Sequence, residues 1–267
     1  MYLRAKDLDD AMQLITEHPD FLLICGSTDV AVQLKNQKPV NGIIDISALN
    51  ELQYIKIASN TMVIGALTTI TDILESTEVQ THLPLLIAAA EVFASHQIRN
   101  LATLGGNIAN ASPAADLVTP LLALDATVTL GSQEGERVID LEDLFCGYKC
   151  TKLDHEIILG ITIPLQKHLW YYRKTGVRER LNIAKVSLSM IKNSKGYCIS
   201  GASLNPYALR FRHVENLLNS SDFNDEKIKE ALELDISPSG SLRSTKVYRM
   251  RVAFNMIKEA LSGFTAL

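Results

Sequence analysis

Aromatic residues are scarce in this 267-residue chain, 6% of the total with a single tryptophan. Cysteine is scarcer: Cys25, Cys146, Cys150 and Cys198 are scattered and form no C-x-x-C pair. That spacing suggests neither a disulfide framework nor a zinc site, and the closest pair, Cys146 and Cys150, has no further cysteine nearby to complete four ligands. Charge of one sign is also missing. Subtracting 30 Asp and Glu from 26 Lys and Arg leaves −4, and no block of like charge would draw in a phosphate backbone or an acidic membrane. Nucleic-acid binding therefore has no electrostatic footprint. No run of about 18 apolar residues occurs, so no membrane span is expected. Met1 to Asp10 is charged where a secretory leader would be apolar, which makes a reducing cytoplasm the expected compartment. His18, His82, His96, His155, His168 and His213 form no Ser-His-Asp or Cys-His arrangement and read as structural or surface residues, so no catalytic side chain is assigned.

What is present is an ordinary globular composition, 47% hydrophobic and 21% charged, without repeats or low-complexity segments. At roughly 150 residues per domain the length corresponds to about 1.8 domains. Apolar positions Leu8, Ala11, Met12, Leu14 and Ile15 predict a short helix with Asp7 as its cap. The continuous apolar run Phe21 to Cys25 reads as a fully buried strand, and a helix is expected from Thr28 to Leu34. Leu52 to Ile57 and Met62 to Ile64 read as a hairpin. Thr68 or Thr69 opens a helix through Leu74, and Pro84 opens another over 85–94, since proline suits a first helical turn. Strands are expected at 127–130, 157–163, 169–174, 184–191 and 197–202, and helices at 225–234 and 248–261. The pattern is α+β, with a boundary near Leu165 to Leu169.

Two segments carry most of the functional signal. Leu22 through Asp29 joins a strand to a turn of small residues, Cys25-Gly26-Ser27-Thr28, whose successive backbone N–H groups can converge on a phosphate oxygen. A plain strand-to-helix connection accounts for the same residues. Gln97 through Asp116 is denser. Its paired glycines, Gly105 and Gly106, allow close backbone approach, while Thr103, Asn107, Asn110, Ser112 and Asp116 supply polar groups. It reads as a long ordered loop between two apolar helices, and such loops usually have a functional reason. Two loops of this kind can grip a dinucleotide.

On these residues the chain resembles the FAD-binding (medium) subunit of the molybdenum hydroxylases, the xanthine dehydrogenase and carbon monoxide dehydrogenase family. Cys25-Gly26-Ser27-Thr28-Asp29-Val30 is similar to its AGGTDL pyrophosphate loop, and Ile64 through Asp72 to its IGA-x-x-T-x-x-D helix entry. Gln97 through Asp116 matches QIRN-x-GT-x-GGN-I-x-x-x-SP-x-x-D with hardly a change. Asp143-Leu144-Phe145-Cys146-Gly147, Thr151, Leu153, Glu156-Ile157-Ile158 and Ile161 to Pro164 follow the family's later motifs, and Arg243-Ser244 and Tyr248-Arg249 its C-terminal signature. The resemblance covers nearly the whole chain.

The resemblance implies a two-subdomain FAD-binding module of the vanillyl-alcohol-oxidase-like (PCMH) type over residues 1–165. A small C-terminal α+β domain over 166–267, a three-stranded antiparallel sheet plus helices, would follow. Backbone groups of Ile24, Cys25, Gly26, Ser27 and Thr28, with Asp29, are then expected to bind the FAD pyrophosphate, and Ala102, Thr103, Gly106, Asn107, Asn110 and Asp116 to line the other side. Phe93, Ile158 and Lys174 occupy positions near adenine or flavin in some members. On the residues alone, Phe93 and Ile158 read equally as core packing and Lys174 as an exposed cation. The implied partners are a molybdopterin-binding large subunit, an iron–sulfur (2Fe–2S) small subunit and NAD or another electron acceptor, in a heterotrimer that uses FAD and no metal on this chain. A flavin-free assembly subunit and a free-standing flavin oxidase are the competing readings, the second disfavoured because some 100 residues after Pro164 are too few for its substrate domain. Two positions depart from the family. Ser27 replaces the usual second glycine, where a positive φ costs about 1 kcal/mol, and Asn182 replaces an aspartate in the segment Lys174, Arg178, Asn182, Ala184.

Overall fold

The computed structural model describes residues 1–36, 39–178, 181–240 and 244–265. Arg243, one of the four residues of the expected C-terminal signature, lies outside them. The chain opens with β1 (Tyr2–Arg4), α1 (Leu8–Glu17), β2 (Leu22–Ile24), α2 (Val30–Lys35) and β3 (Ile43–Asp45). Asp7 caps α1 as expected, accepting from Asp10 N at 2.9 Å. The strands form a parallel sheet in the order β1-β3-β2. β2 is therefore an edge strand, and its residues are half-buried rather than fully buried as their apolar run suggested. Its C-terminal end delivers the chain to the turn at Cys25.

The second part begins with the hairpin β4 (Ile55–Ala58) and β5 (Thr61–Gly65). Six helices follow: α3 (Ile70–Glu75), α4 (Thr77–His82), α5 (Pro84–Glu91), α6 (His96–Arg99), α7 (Leu104–Ala109) and α8 (Val118–Ala123). β6 (Thr127–Ser132), β7 (Gly135–Asp140), the small hairpin β8 (Phe145–Gly147) and β9 (Cys150–Thr151), and β10 (Ile157–Pro164) complete it. β10 is almost entirely buried because it inserts between β5 and β6 in the antiparallel order β4-β5-β10-β6-β7, with Ile161 opposite both Ile64 and Val128. The helices bury Ile70, Leu86, Leu104 and Leu121 against this sheet in one core.

Two expectations change here. The stretch 97–116 is not a loop: α6 and α7 occupy much of it, capped by Ser95 and Thr103, whose hydroxyls accept from Ile98 N and Gly106 N. Glycine ordinarily opposes helix, but a Cβ on Gly105 would meet Ala66 at 2.7 Å, so the residue is required for packing α7 onto the end of β5. Cys146 and Cys150, whose spacing suggested no disulfide framework, are joined by a disulfide across β8–β9, because the hairpin turns their Cα atoms to 5.4 Å.

The third part has β11 (Leu169–Thr175), β12 (Val186–Asn193), β13 (Gly196–Ala202) and the short β14 (Leu209–Arg210) in one antiparallel sheet, one strand more than expected. α9 (Arg212–Asn219), which the sequence reading missed, α10 (Asp225–Asp235) and α11 (Lys246–Thr265) follow. Alternation along β12 assigns its faces. Val186, Leu188 and Met190 pack with the C-terminal helices, whereas Ser189 and, on β13, Ser200 bond Thr119 of α8, Oγ to Oγ1 at 3.1 Å and Oγ to O at 2.6 Å. Small hydroxyl side chains let α8 seat directly on this sheet. Arg210 adds a buried tie, pairing with Glu215 at 2.6 Å and donating to Leu122 O at 3.2 Å and to Asp125. No helix among the described residues is long and apolar enough to cross a membrane.

Candidate cofactor site

The first loop leaves β2 at Ile24, whose carbonyl accepts from Ile46 N at 2.9 Å and anchors the strand end. Ser27 then takes the left-handed conformation anticipated for it, φ 55°, and its hydroxyl donates to Cys25 O at 3.1 Å. Asp29 returns to the right-handed region, φ −96° and ψ −39°. The backbone N–H groups of Gly26, Ser27 and Thr28 have no acceptor among the described residues. Successive N–H groups in a turn of this kind form an anion-binding concavity.

The second segment meets the first directly. Cys25 Sγ and Thr103 Oγ1 are 3.3 Å apart, and a Cβ on Gly26 would lie 1.7 Å from Leu101 O and 3.3 Å from Ala102 N. A Cβ on Gly106 would meet side chains instead, Thr103 Oγ1 at 2.8 Å and Cys25 Sγ at 3.4 Å. Glycine at 26 is what lets the two backbones approach. The N–H groups of α7 are already used, by Thr68 O, Ala66 O and Thr103 Oγ1, so this side offers a ligand its side chains. Asn107 Oδ1 is buried without a partner, and Asn110 closes the C-terminal end of α7.

Asp116 and Lys174 lie where the second part meets β11. Lys174 Nζ donates to Asp116 Oδ2 at 2.7 Å and to Val92 O at 3.1 Å, beside Phe93. The lysine is thus not an exposed cation. Asp116 Oδ1 and the Tyr172 hydroxyl are buried without partners. Burial pushes the Asp116 carboxyl up to about 6 despite the opposing charge of Lys174. Burial, and then the charge of Asp116, raises the Tyr172 phenol well above its ordinary range. Phe93 is partly buried against the main core, and Ile158, 5% exposed, is within it. Asn182 folds back, donating to Arg178 O.

The sequence reading missed Lys149, whose Nζ lies 3.1 Å from Asp29 Oδ2, and Tyr172. It also missed Ser47, Asn50 and Gln53, which line a cavity of about 330 Å³ together with Cys25, Gly26 and Thr103. Only Lys149 had a local signal, standing inside the motif that runs from Asp143 to Thr151.

Three unpaired N–H groups, a glycine-mediated approach of the two segments and orphaned acceptors at Asn107 and Asp116 fit an anionic ligand with a polar ring, as a flavin dinucleotide is. The class so defined agrees with comparison to known proteins. The family model described as the FAD-binding domain in molybdopterin dehydrogenase matches residues 1–166. The xanthine dehydrogenase FAD-binding subunit of Escherichia coli O157:H7 is 32% identical, over 99% of this chain and 96% of that protein. The glyceraldehyde dehydrogenase medium chain of Sulfolobus acidocaldarius is 31% identical, over 94% and 93%. A chain of carbon monoxide dehydrogenase from Hydrogenophaga pseudoflava superposes with a TM-score of 0.91 at 28% identity, covering 98% of this chain and 95% of that one. The chain belongs to the FAD-binding family of the molybdopterin dehydrogenases. It is a flavoprotein component of an oxidoreductase, and its cofactor is FAD.

Proposed function

We propose that this chain is the electron-transferring subunit of a cytoplasmic, heterotrimeric molybdenum hydroxylase, passing electrons from iron–sulfur clusters on a small subunit to NAD or another acceptor. Substrate would be hydroxylated on a molybdopterin-bearing large subunit. Relatives of similar identity are named for xanthine, glyceraldehyde, nicotinate and carbon monoxide. One kind of flavin subunit alongside four such different substrates favours a substrate site elsewhere.

FAD, when bound, supplies one- and two-electron redox chemistry, and the protein supplies binding, orientation and electrostatics. In this reading residues 1–165 form the FAD module and 166–267 the C-terminal domain. The free N–H groups of Gly26, Ser27 and Thr28 hold the pyrophosphate, with Ile24, Cys25 and Asp29 shaping the turn. Ala102, Thr103, Gly106, Asn107 and Asn110 form the opposing wall. Asp116 and Lys174 set the charge at the ring's polar edge, and Phe93 and Ile158 supply apolar contact. The observation that carries the reading is the run of three unpaired N–H groups in the first loop.

Titration of the purified protein with FAD tests it. A visible flavin band that stays with the protein through gel filtration is expected, as is its loss in the double variant Gly106→Ala, Asn107→Ala. Protein that retains no flavin after saturation overturns the reading. Co-purification from the native source, with partners identified by mass, tests the assembly.

A further inference from the structure

The hairpin β8–β9 carries two cysteines that cofactor binding leaves unused. Cys146 and Cys150 are both exposed, and their disulfide closes the tip Gly147-Tyr148-Lys149. No group of His, Cys, Asp or Glu able to hold a metal occurs among the described residues, so zinc does not compete for the pair. Stabilisation by a crosslink grows with the length of loop it closes, and this loop has only three residues between its cysteines. The bond therefore does little as a staple for the whole fold. What it restrains is the tip itself.

That tip touches the first loop. Lys149 stands in the left-handed conformation, φ 50°, and its Nζ reaches across 120 positions of sequence to Asp29 Oδ2 at 3.1 Å. The same carboxylate oxygen accepts from Gln33 Nε2 at 2.7 Å, tying the contact to the first turns of α2. A hairpin from the second part of the molecule thus braces the loop whose N–H groups are free.

We propose that Cys146 and Cys150 are a thiol–disulfide exchange site for a small-molecule dithiol, and that their redox state sets how firmly Lys149 holds the first loop. A thiolate of the reductant attacks one exposed sulfur, the Cys146–Cys150 bond breaks, and a mixed disulfide forms. The reductant's second thiol then displaces the protein sulfur. Two electrons and two protons pass to the cysteines, which end as two thiols, and the reductant ends as its own disulfide. In the disulfide form the tip holds Lys149 on Asp29; in the dithiol form the tip is released and the brace weakens. The consequence for cofactor affinity rests on the reading of this loop as the FAD pyrophosphate site.

The test uses the full chain, air-oxidised or treated with dithiothreitol that is removed under nitrogen. Alkylation and mass measurement should count two fewer modified cysteines in the oxidised protein. Amide hydrogen exchange over 26–33, read without FAD, should be faster in the reduced protein. The Kd for FAD should rise about two- to fivefold on reduction, the size of an exposed ion pair. Cys146→Ser with Cys150→Ser should behave as reduced under both conditions, and Lys149→Met should do so with its disulfide intact. Alkylation of both cysteines in oxidised protein overturns the proposal. So does equal exchange over 26–33 in the two states, or a changed exchange with an unchanged Kd. If FAD binds in neither state, the cofactor reading fails instead, and the exchange measurement alone decides the switch.

Discussion

Lys174 on β11 and Asp116, just before α8, form an ion pair of 2.7 Å whose side chains are only 4% and 10% exposed. It joins the C-terminal sheet to the end of the second segment of the site, and Ser203 N, donating to Pro113 O at 2.6 Å, reinforces the same junction. The pair is incompletely satisfied: Asp116 keeps one buried oxygen without a partner. A buried carboxylate in that condition is held ionised at the expense of stability.

Removing the cation should therefore be worse than removing the anion. Lys174→Met leaves an uncompensated buried carboxylate and should lower unfolding free energy by about 3–5 kcal/mol at pH 8. Asp116→Asn, which keeps an acceptor for the lysine, should cost less. The sign of the pH effect follows from the raised carboxyl, 3.8 to about 6. The folded state binds this proton more tightly than the unfolded chain does, so the group's contribution is fully present below 3.8 and is lost as pH rises through about 6. Urea unfolding across that window should show a fall in stability that Asp116→Asn removes. An unchanged slope in the variant would assign the pH dependence to other groups.

Two glycines with opposite surroundings separate packing from propensity. Gly26→Ala places a Cβ 1.7 Å from Leu101 O, backbone that cannot yield cheaply. It should abolish FAD retention and cost about 1–3 kcal/mol as overpacking. Gly263→Ala, in α11 with nothing within 4 Å, should instead gain up to about 1 kcal/mol and leave FAD affinity unchanged. Denaturation midpoints and FAD titration of the two variants read both effects.

Ser27 sits at φ 55°, in the left-handed region that favours glycine. Ser27→Gly should raise stability by up to about 1 kcal/mol by relieving the left-handed strain, with FAD binding retained. Ser27→Val should lose about 2 kcal/mol, since a β-branched residue is worse placed there. A lower midpoint for the glycine variant would mean that the Ser27 hydroxyl bond to Cys25 O outweighs the strain.

Local chemistry makes some of this legible in the sequence. Asp7, Thr69 and Pro84 begin helices as their types suggest, Thr69 within a capping box with Asp72, and the motif strings located both segments of the site. β1 and β14, of three and two residues, were too short to show a period. α9 was hidden because it buries Glu215 where an apolar residue would have marked its face. Periodicity also could not tell the half-buried edge strand β2 from a central one, as a short apolar run fits either. Other misses are tertiary. Gly105 is helical because Ala66 needs the space, Cys146 meets Cys150 because a hairpin turns there, and Lys149 meets Asp29 from 120 positions away.

The tie between α8 and the C-terminal sheet offers the last prediction. Arg210 binds Glu215 through two bonds, Nε to Oε1 at 2.6 Å and Nη2 to Oε2 at 3.0 Å, and Glu215 Oε1 also accepts from Ile199 N at 2.7 Å. Both side chains are nearly sealed, 6% and 5% exposed, whereas Asp125, Arg210's other carboxylate partner, is 42% exposed. Glu215→Ala strands a buried guanidinium and a backbone N–H together and should cost about 3–5 kcal/mol. Asp125→Asn disturbs a pair that water screens and should cost no more than about 1 kcal/mol. The two single variants and the double, unfolded in urea, measure the coupling through Arg210. If Asp125→Asn proves as costly as Glu215→Ala, the exposed carboxylate rather than the buried one holds the guanidinium against Leu122.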